Sequence, residues 1–148
     1  MQLTIRPATL ADVPHVSNNL LQEGINDMFR SGSNPALAMA EGVLLDECYV
    51  AITDSGDYMA LVGIGEGGNI WLQMTTEVKK HPLAFIRATK KFLNERPEPL
   101  LYNEIDIQNT ALIKLVKKLG FKVINVVQPW GARNYHVEIV KLWSGERQ

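Results

Sequence analysis

Glu104 and Asp106 stand two positions apart in a run predicted to be a strand, so they share one face. Two carboxylates on one strand face can take up protons as general bases, although such a face commonly meets water. Asn103 falls on the opposite face. Tyr102 and Tyr135 each carry a phenol that could donate a proton. Lys79, Lys80 and His81 precede Pro82, which opens a predicted helix, so cations and a helix dipole meet there and can attract an anion. His15, His81 and His136 have no metal-ligand spacing, and with one cysteine in the chain no metal site is expected. His81 reads as a neutral polar cap and Cys48 as a small buried residue. Neither a Gly-x-Ser-x-Gly elbow nor a phosphate-binding P-loop occurs. Trp71, Trp130 and Trp143 read as core or interface anchors, and Lys114, Lys117 and Lys118 as the solvated face of one helix.

These residues are set out on 148 positions, enough for one domain, predicted to span 1–148. Apolar residues make up 46% and charged residues 21%, which suits a folded core and argues against disorder. Fifteen basic against sixteen acidic side chains give a net charge of -1, and this balance predicts no nucleic-acid partner and no membrane partner. Apolar runs are too short to span a bilayer. The opening residues lack a signal-peptide core, and a lone cysteine suits a reducing compartment, so a cytoplasmic location is expected.

Periodicity and punctuation predict the order β-α-α-β-β-β-α-β-α-β-β. Leu3 to Ile5 is a strand ended by Arg6-Pro7. Thr9 and Asp12 resemble a helix cap, Leu10, Val13, Val16 and Leu20 recur at helical spacing, and Gly24 ends or loosens that helix. Residues 30–34 form a loop, and Asn34-Pro35 starts a second helix reaching about Asp46. Strands at 49–52, 58–65 and 70–74 form a meander with glycine-bearing turns. A polar stretch, 75–81, leads into a long helix from Pro82 to about residue 95. A strand at 100–106 follows, then a helix capped by Asn109 and stopped by Gly120, a strand at 121–127, a loop through Pro129, Trp130 and Gly131, and a last strand at 135–142. The fold class is thus α/β in the broad sense (α+β). It is a mixed, mostly antiparallel sheet of about seven strands flanked by about four helices, with one parallel pair between 70–74 and 100–106.

This order, the opening Ile5-Arg6-Pro7-Ala8-Thr9-Leu10-Ala11-Asp12-Val13 and the run from Asn109 to Leu119-Gly120-Phe121 resemble the GCN5-related N-acetyltransferase (GNAT) fold. A narrower likeness rests on Ile70 to Met74, Lys80 to Arg87, Asn109 to Phe121 and Pro129-Trp130-Gly131. These segments are similar to GNAT-like proteins of tailed bacteriophages, some of them internal virion or assembly proteins. The resemblance implies three tasks: holding the acetyl-CoA pyrophosphate at a helix N-terminus, accepting a proton from an amine, and protonating the departing thiolate. The glycine loop usual for the first task is replaced by Thr75 to Pro82, which has no glycine, adds Glu77 and loses an N–H at Pro82. If acetyl-CoA binds, Met74, Thr75, Lys79, Lys80, His81 and Asn109 are the residues expected at it. The usual acid, a tyrosine four residues before the glycine of Leu-Gly-Phe, is Val116 here. Glu104, Asp106 and Tyr135 are the catalytic candidates.

The expectation from these departures is a phage GNAT-fold protein with a degenerate acetyl-CoA site. It would work by binding, during virion assembly, in the host cytoplasm or the virion, with virion or host proteins as partners. The alternatives are an active acetyl-CoA-dependent N-acetyltransferase and a host-directed inhibitor.

Overall fold

A computed structural model describes residues 2–30, 32–130 and 135–142. The expected Gly131 turn and Trp143 lie outside the described residues. The N-terminal part is an antiparallel sheet in the order β1 (Leu3–Pro7), β2 (Glu47–Thr53), β3 (Tyr58–Ile64), β4 (Ile70–Met74). The C-terminal part is a second antiparallel sheet in the order β5 (Leu100–Asp106), β7 (His136–Leu142), β6 (Lys122–Val127). All seven expected strands are present. The expected parallel pair is reduced to a single bridge, Asn69 to Tyr102, beyond which β4 and β5 separate. The chain therefore makes two sheets meeting in a splay, rather than one continuous sheet.

Among the described residues five α-helices flank them: α1 (Val13–Ser17), α2 (Gln22–Arg30), α3 (Pro35–Leu45), α4 (Pro82–Asn94) and α5 (Thr110–Lys118). The first three cover one face of the N-terminal sheet, where Val13, Val16, Met28 and Met39 pack on Cys48, Val50 and Leu61. The other two cover the opposite face, where Leu93, Val116 and Leu119 pack on Val62, Ile64 and Ile105.

One expected helix is broken in two. α1 stops at Ser17, and Gly24 lies inside α2 rather than at a helix end. The cause is tertiary. Thr76 N donates to Asn19 O (3.0 Å) and Leu21 N to Met74 O (3.1 Å), so the turn ending at Asn19 and the Leu20 bridge to Thr75 tie this segment to the end of β4. Gly24 sits where an added Cβ would come within 3.3 Å of the Gln73 side chain. Trp71 is fixed more firmly. A Cβ on Gly63 (β3) or Gly42 (α3) would come within 2.1 or 2.4 Å of its indole ring, so both glycines are needed to seat it. Trp71 Nε1 also donates to Asp46 Oδ2 at 2.8 Å.

Candidate functional site

The splay between β4 and β5 is where the two sheets leave backbone unpaired. Thr75 N donates to Met59 O, so by antiparallel alternation Ile70, Leu72 and Met74 turn their polar groups away from β3. Asn103 Nδ2 donates to Ile70 O at 2.6 Å, and Leu21 N occupies Met74 O. Leu72, between them, has no backbone partner among the described residues. Behind it lies an apolar cavity of about 50 Å³ whose walls include Leu72, Asn103, Ile105, Leu112 and Val116. Val116 is buried, so the position expected of an acid is filled by an aliphatic core side chain.

At the end of β4 the chain makes a short 3-10 turn, Thr76–Lys79, before α4. Its sequence explains it. Thr75 is fully buried, donates its hydroxyl to Tyr58 O at 2.7 Å and accepts from Glu77 N, while Val78 is buried in the core. Lys80 Nζ pairs with Glu77 Oε1 at 2.9 Å, and Lys79 is exposed. His81 precedes the first turn of α4 but makes no side-chain bond to it, contrary to the cap expected. Pro82 contributes no donor, and the N–H groups of Leu83 and Ala84 have no partner inside the helix or among the described side chains. This helix start is thus open to solvent and suited to an anion.

Asn109 opens α5 differently. It is buried, its Oδ1 accepts from Leu112 N at 3.2 Å, and its Nδ2 donates to Asp27 of α2. Arg30 of α2 donates through Nε to Asp106 Oδ2 at 3.0 Å. Together these bonds carry the end of α2 across to the tip of β5. Of the six residues expected at a cofactor, Met74, Thr75 and Asn109 therefore spend their polar groups on internal bonds, whereas Lys79, Lys80 and His81 gather beside α4.

The catalytic candidates separate as well. Glu104 and Asp106 do share a face of β5. Glu104 is exposed and stands opposite Glu138 of β7. Asp106 is buried, paired with Arg30, and its Oδ1 accepts from Gln108 N at 2.9 Å. Tyr135 is exposed just before β7, and its carbonyl accepts from Ile107 N. The same face of β4 that carries Trp71 and Gln73 lines a cavity of about 330 Å³ with Met28, Met39, Glu41 and Asp46. Sequence reading missed Asp27, Arg30 and the Asn19 to Leu21 segment. No local pattern points to them, because the partners of Arg30 and Asp27 lie 76 and 82 positions away and those of Asn19 and Leu21 are Thr76 and Met74. Among the described residues no group of acidic, histidine and cysteine side chains could hold a metal, and no helix is long and apolar enough to cross a membrane.

This arrangement is the GNAT fold. No protein-family model matches the chain, and no curated protein matches it in sequence. Solved structures do. A spermidine N-acetyltransferase from Vibrio cholerae, solved with CoA and spermine, aligns with a TM-score of 0.70 over 95% of both chains at 15% identity. The ribosomal-protein-S18-alanine N-acetyltransferase from Escherichia coli aligns at 0.67 over 99% of both chains at 14% identity. A GCN5-related N-acetyltransferase from Kribbella flavida aligns at 0.65 over 95% of this chain and 98% of its own, at 15% identity.

Proposed function

We propose that this protein is a slow acetyl-CoA-dependent N-acetyltransferase in which solvent replaces the usual side-chain acid. One observation carries the reading: the free backbone edge at Leu72 leads to the uncapped, solvent-open first turn of α4. Acetyl-CoA supplies an acetyl thioester. Leu83 and Ala84 N–H groups, with Lys79 and His81, would hold its diphosphate, and Leu72 would pair with its amide-bearing arm. Glu104 on the open face of β5 takes the proton from the amine. Asp106 is committed to Arg30 and orients the tip of β5 instead. Val116 cannot protonate a thiolate, so water does, and the rate falls by roughly 10²–10⁴ relative to an enzyme with a positioned acid. The cavity beside Trp71, with Glu41 and Asp46 on its wall, suits an acceptor bearing an ammonium group.

A second reading is favoured by specific contacts. The Asn19 to Leu21 segment already occupies Met74 O, Glu77 sets a carboxylate beside α4, and Val116 fills the acid position. These suit a GNAT-fold protein that binds partners without catalysis, and the likeness to phage proteins would make the partner part of a virion. Calorimetric titration with acetyl-CoA, followed by mass spectrometry of acetyl transfer to a panel of amines, separates the two. Binding with slow transfer supports the enzyme. No binding and no transfer overturns it and leaves the non-catalytic reading.

A further inference from the structure

The net charge of -1 conceals a segregation of charge between the two helical layers. α4 carries Arg87, Lys90 and Lys91, and α5 carries Lys114, Lys117 and Lys118; neither helix contains an acidic residue. The spacing is the same in both helices: a cation, two intervening residues, then two adjacent cations. At i, i+3 and i+4 these fall on one side of each helix. All six side chains are exposed, and none belongs to an ion pair among the described residues. Both helices return on the same face of the sheets after strands that run in parallel, and Thr89 and Leu93 of α4 share one cavity wall with Leu112, Val116 and Leu119 of α5. The two cationic rows therefore stand on neighbouring helices of one face. Lys141 extends the α5 row, its ammonium lying 2.9 Å from where a Cβ on Gly120 would be.

We infer that the α4–α5 face docks the phosphate backbone of a nucleic acid. Six exposed cations on one face, with no acidic residue in either helix, offer charge to a polyphosphate backbone, each neutralised phosphate releasing a counterion. The contacts address phosphates alone, which predicts binding without sequence preference.

Two other occupants fit worse. A second copy would have to offer the carboxylates around α2 and α3, but Asp27 is paired with Arg30, Asp46 accepts from Trp71 and Glu23 is half-buried, which leaves Glu41 as the exposed, unpaired carboxylate of these helices. An anionic membrane would need apolar side chains between the cations to insert, and the exposed large apolar residue of these helices, Leu83, stands at the far start of α4.

The test is fluorescence polarisation of labelled duplex and single-stranded 20-mers with the full chain, from 50 to 300 mM NaCl. With up to six phosphate contacts, log K should fall against log salt with a slope near -5 for duplex and about -4 for single strands. Two triple variants, Arg87→Gln/Lys90→Gln/Lys91→Gln and Lys114→Gln/Lys117→Gln/Lys118→Gln, remove one row each at exposed positions. Each should keep its melting temperature, lower affinity at 50 mM NaCl by more than ten-fold, and make the slope shallower by about 2–3. Absence of salt-dependent binding overturns the inference. So does binding that survives in both variants, binding to anionic vesicles in place of oligonucleotides, or complete displacement by millimolar acetyl-CoA, which would assign the face to that ligand. Failure of acetyl transfer alone leaves this inference standing, because the rows lie outside the β4–β5 splay.

Discussion

The starts of α4 and α5 solve the same problem in opposite ways. Each helix follows a strand at the splay, and each begins with N–H groups that no turn of helix can satisfy. At α5 the chain closes the gap itself: Asn109 accepts from Leu112 N and anchors to Asp27. At α4 His81 makes no such bond, and Pro82 merely removes one donor. At α5 the capping side chain takes Leu112 N and is itself tied to a neighbouring helix, leaving the N–H groups of Thr110 and Ala111 without a described partner. At α4 no side chain covers the first turn, and exposed Lys79 and Lys80 stand beside it; that difference, rather than the fold, is what favours a ligand at α4. The 3-10 turn Leu10–Asp12 is closed more tightly still, with Asp12 accepting from Thr9 N (2.8 Å), Tyr58 Oη (2.7 Å) and both Arg6 nitrogens.

Breaking the most closed start should have the largest effect. Asp12→Ala removes a buried carboxylate and strands Arg6, Thr9 and Tyr58, and is expected to destabilise the protein by about 3 kcal/mol in urea unfolding. The bonds from Arg6, with smaller help from Thr9 and Tyr58, hold this carboxyl below the usual carboxylate range. Its folded pKa is thus depressed, so its contribution is complete above about pH 4 and is lost as pH falls below that. Thermal melts from pH 7 to pH 2 should show this loss in the wild type and a smaller loss in Asp12→Ala. Next, Asn109→Ala should cost about 2 kcal/mol, from a lost cap and the lost bond to Asp27 Oδ2, read as a lowered melting temperature. His81→Asn sharpens the contrast, since it would close α4 as Asn109 closes α5. It is expected to stabilise by about 1 kcal/mol and, measured calorimetrically, to weaken acetyl-CoA binding by competing for the same donors. The smallest change is Glu77→Gln. Removing one carboxylate beside the helix start should strengthen acetyl-CoA binding by about two- to five-fold, corresponding to roughly 0.3–1 kcal/mol, in the same titration.

Much of this is legible in the amino-acid sequence. The strands are legible from short apolar runs and the turns that bound them, and the capped runs at Asn34-Pro35 and Asn109 because capping is local chemistry. What escaped was long-range. The break after Ser17 depends on Asn19 to Leu21 bonding to the end of β4, and Gly24, which reads as a stop, lies inside the new helix α2 that starts after that break. The parallel pair was overread because a strand-helix-strand order fixes direction but not contact, and β4 and β5 part beyond Asn69. Glu104 and Asp106 were correctly placed on one face, yet their fates diverge through Arg30, whose approach no pattern around residue 106 encodes. Similarly, an even overall charge hid the separation of signs, since a sum discards position.

The seat of Trp71 also governs which parts of the molecule can move. An indole wedged between a glycine of α3 and a glycine of β3 acts as a dowel, so α3 cannot slide along the sheet without carrying β3 and β4 with it. The strap from Asn19 to Leu21 is held to β4 by a few backbone bonds and no such peg. Widening of the splay to admit a longer guest would therefore release that strap first, while Asp27 and Arg30 keep the end of α2 tied to α5 and β5.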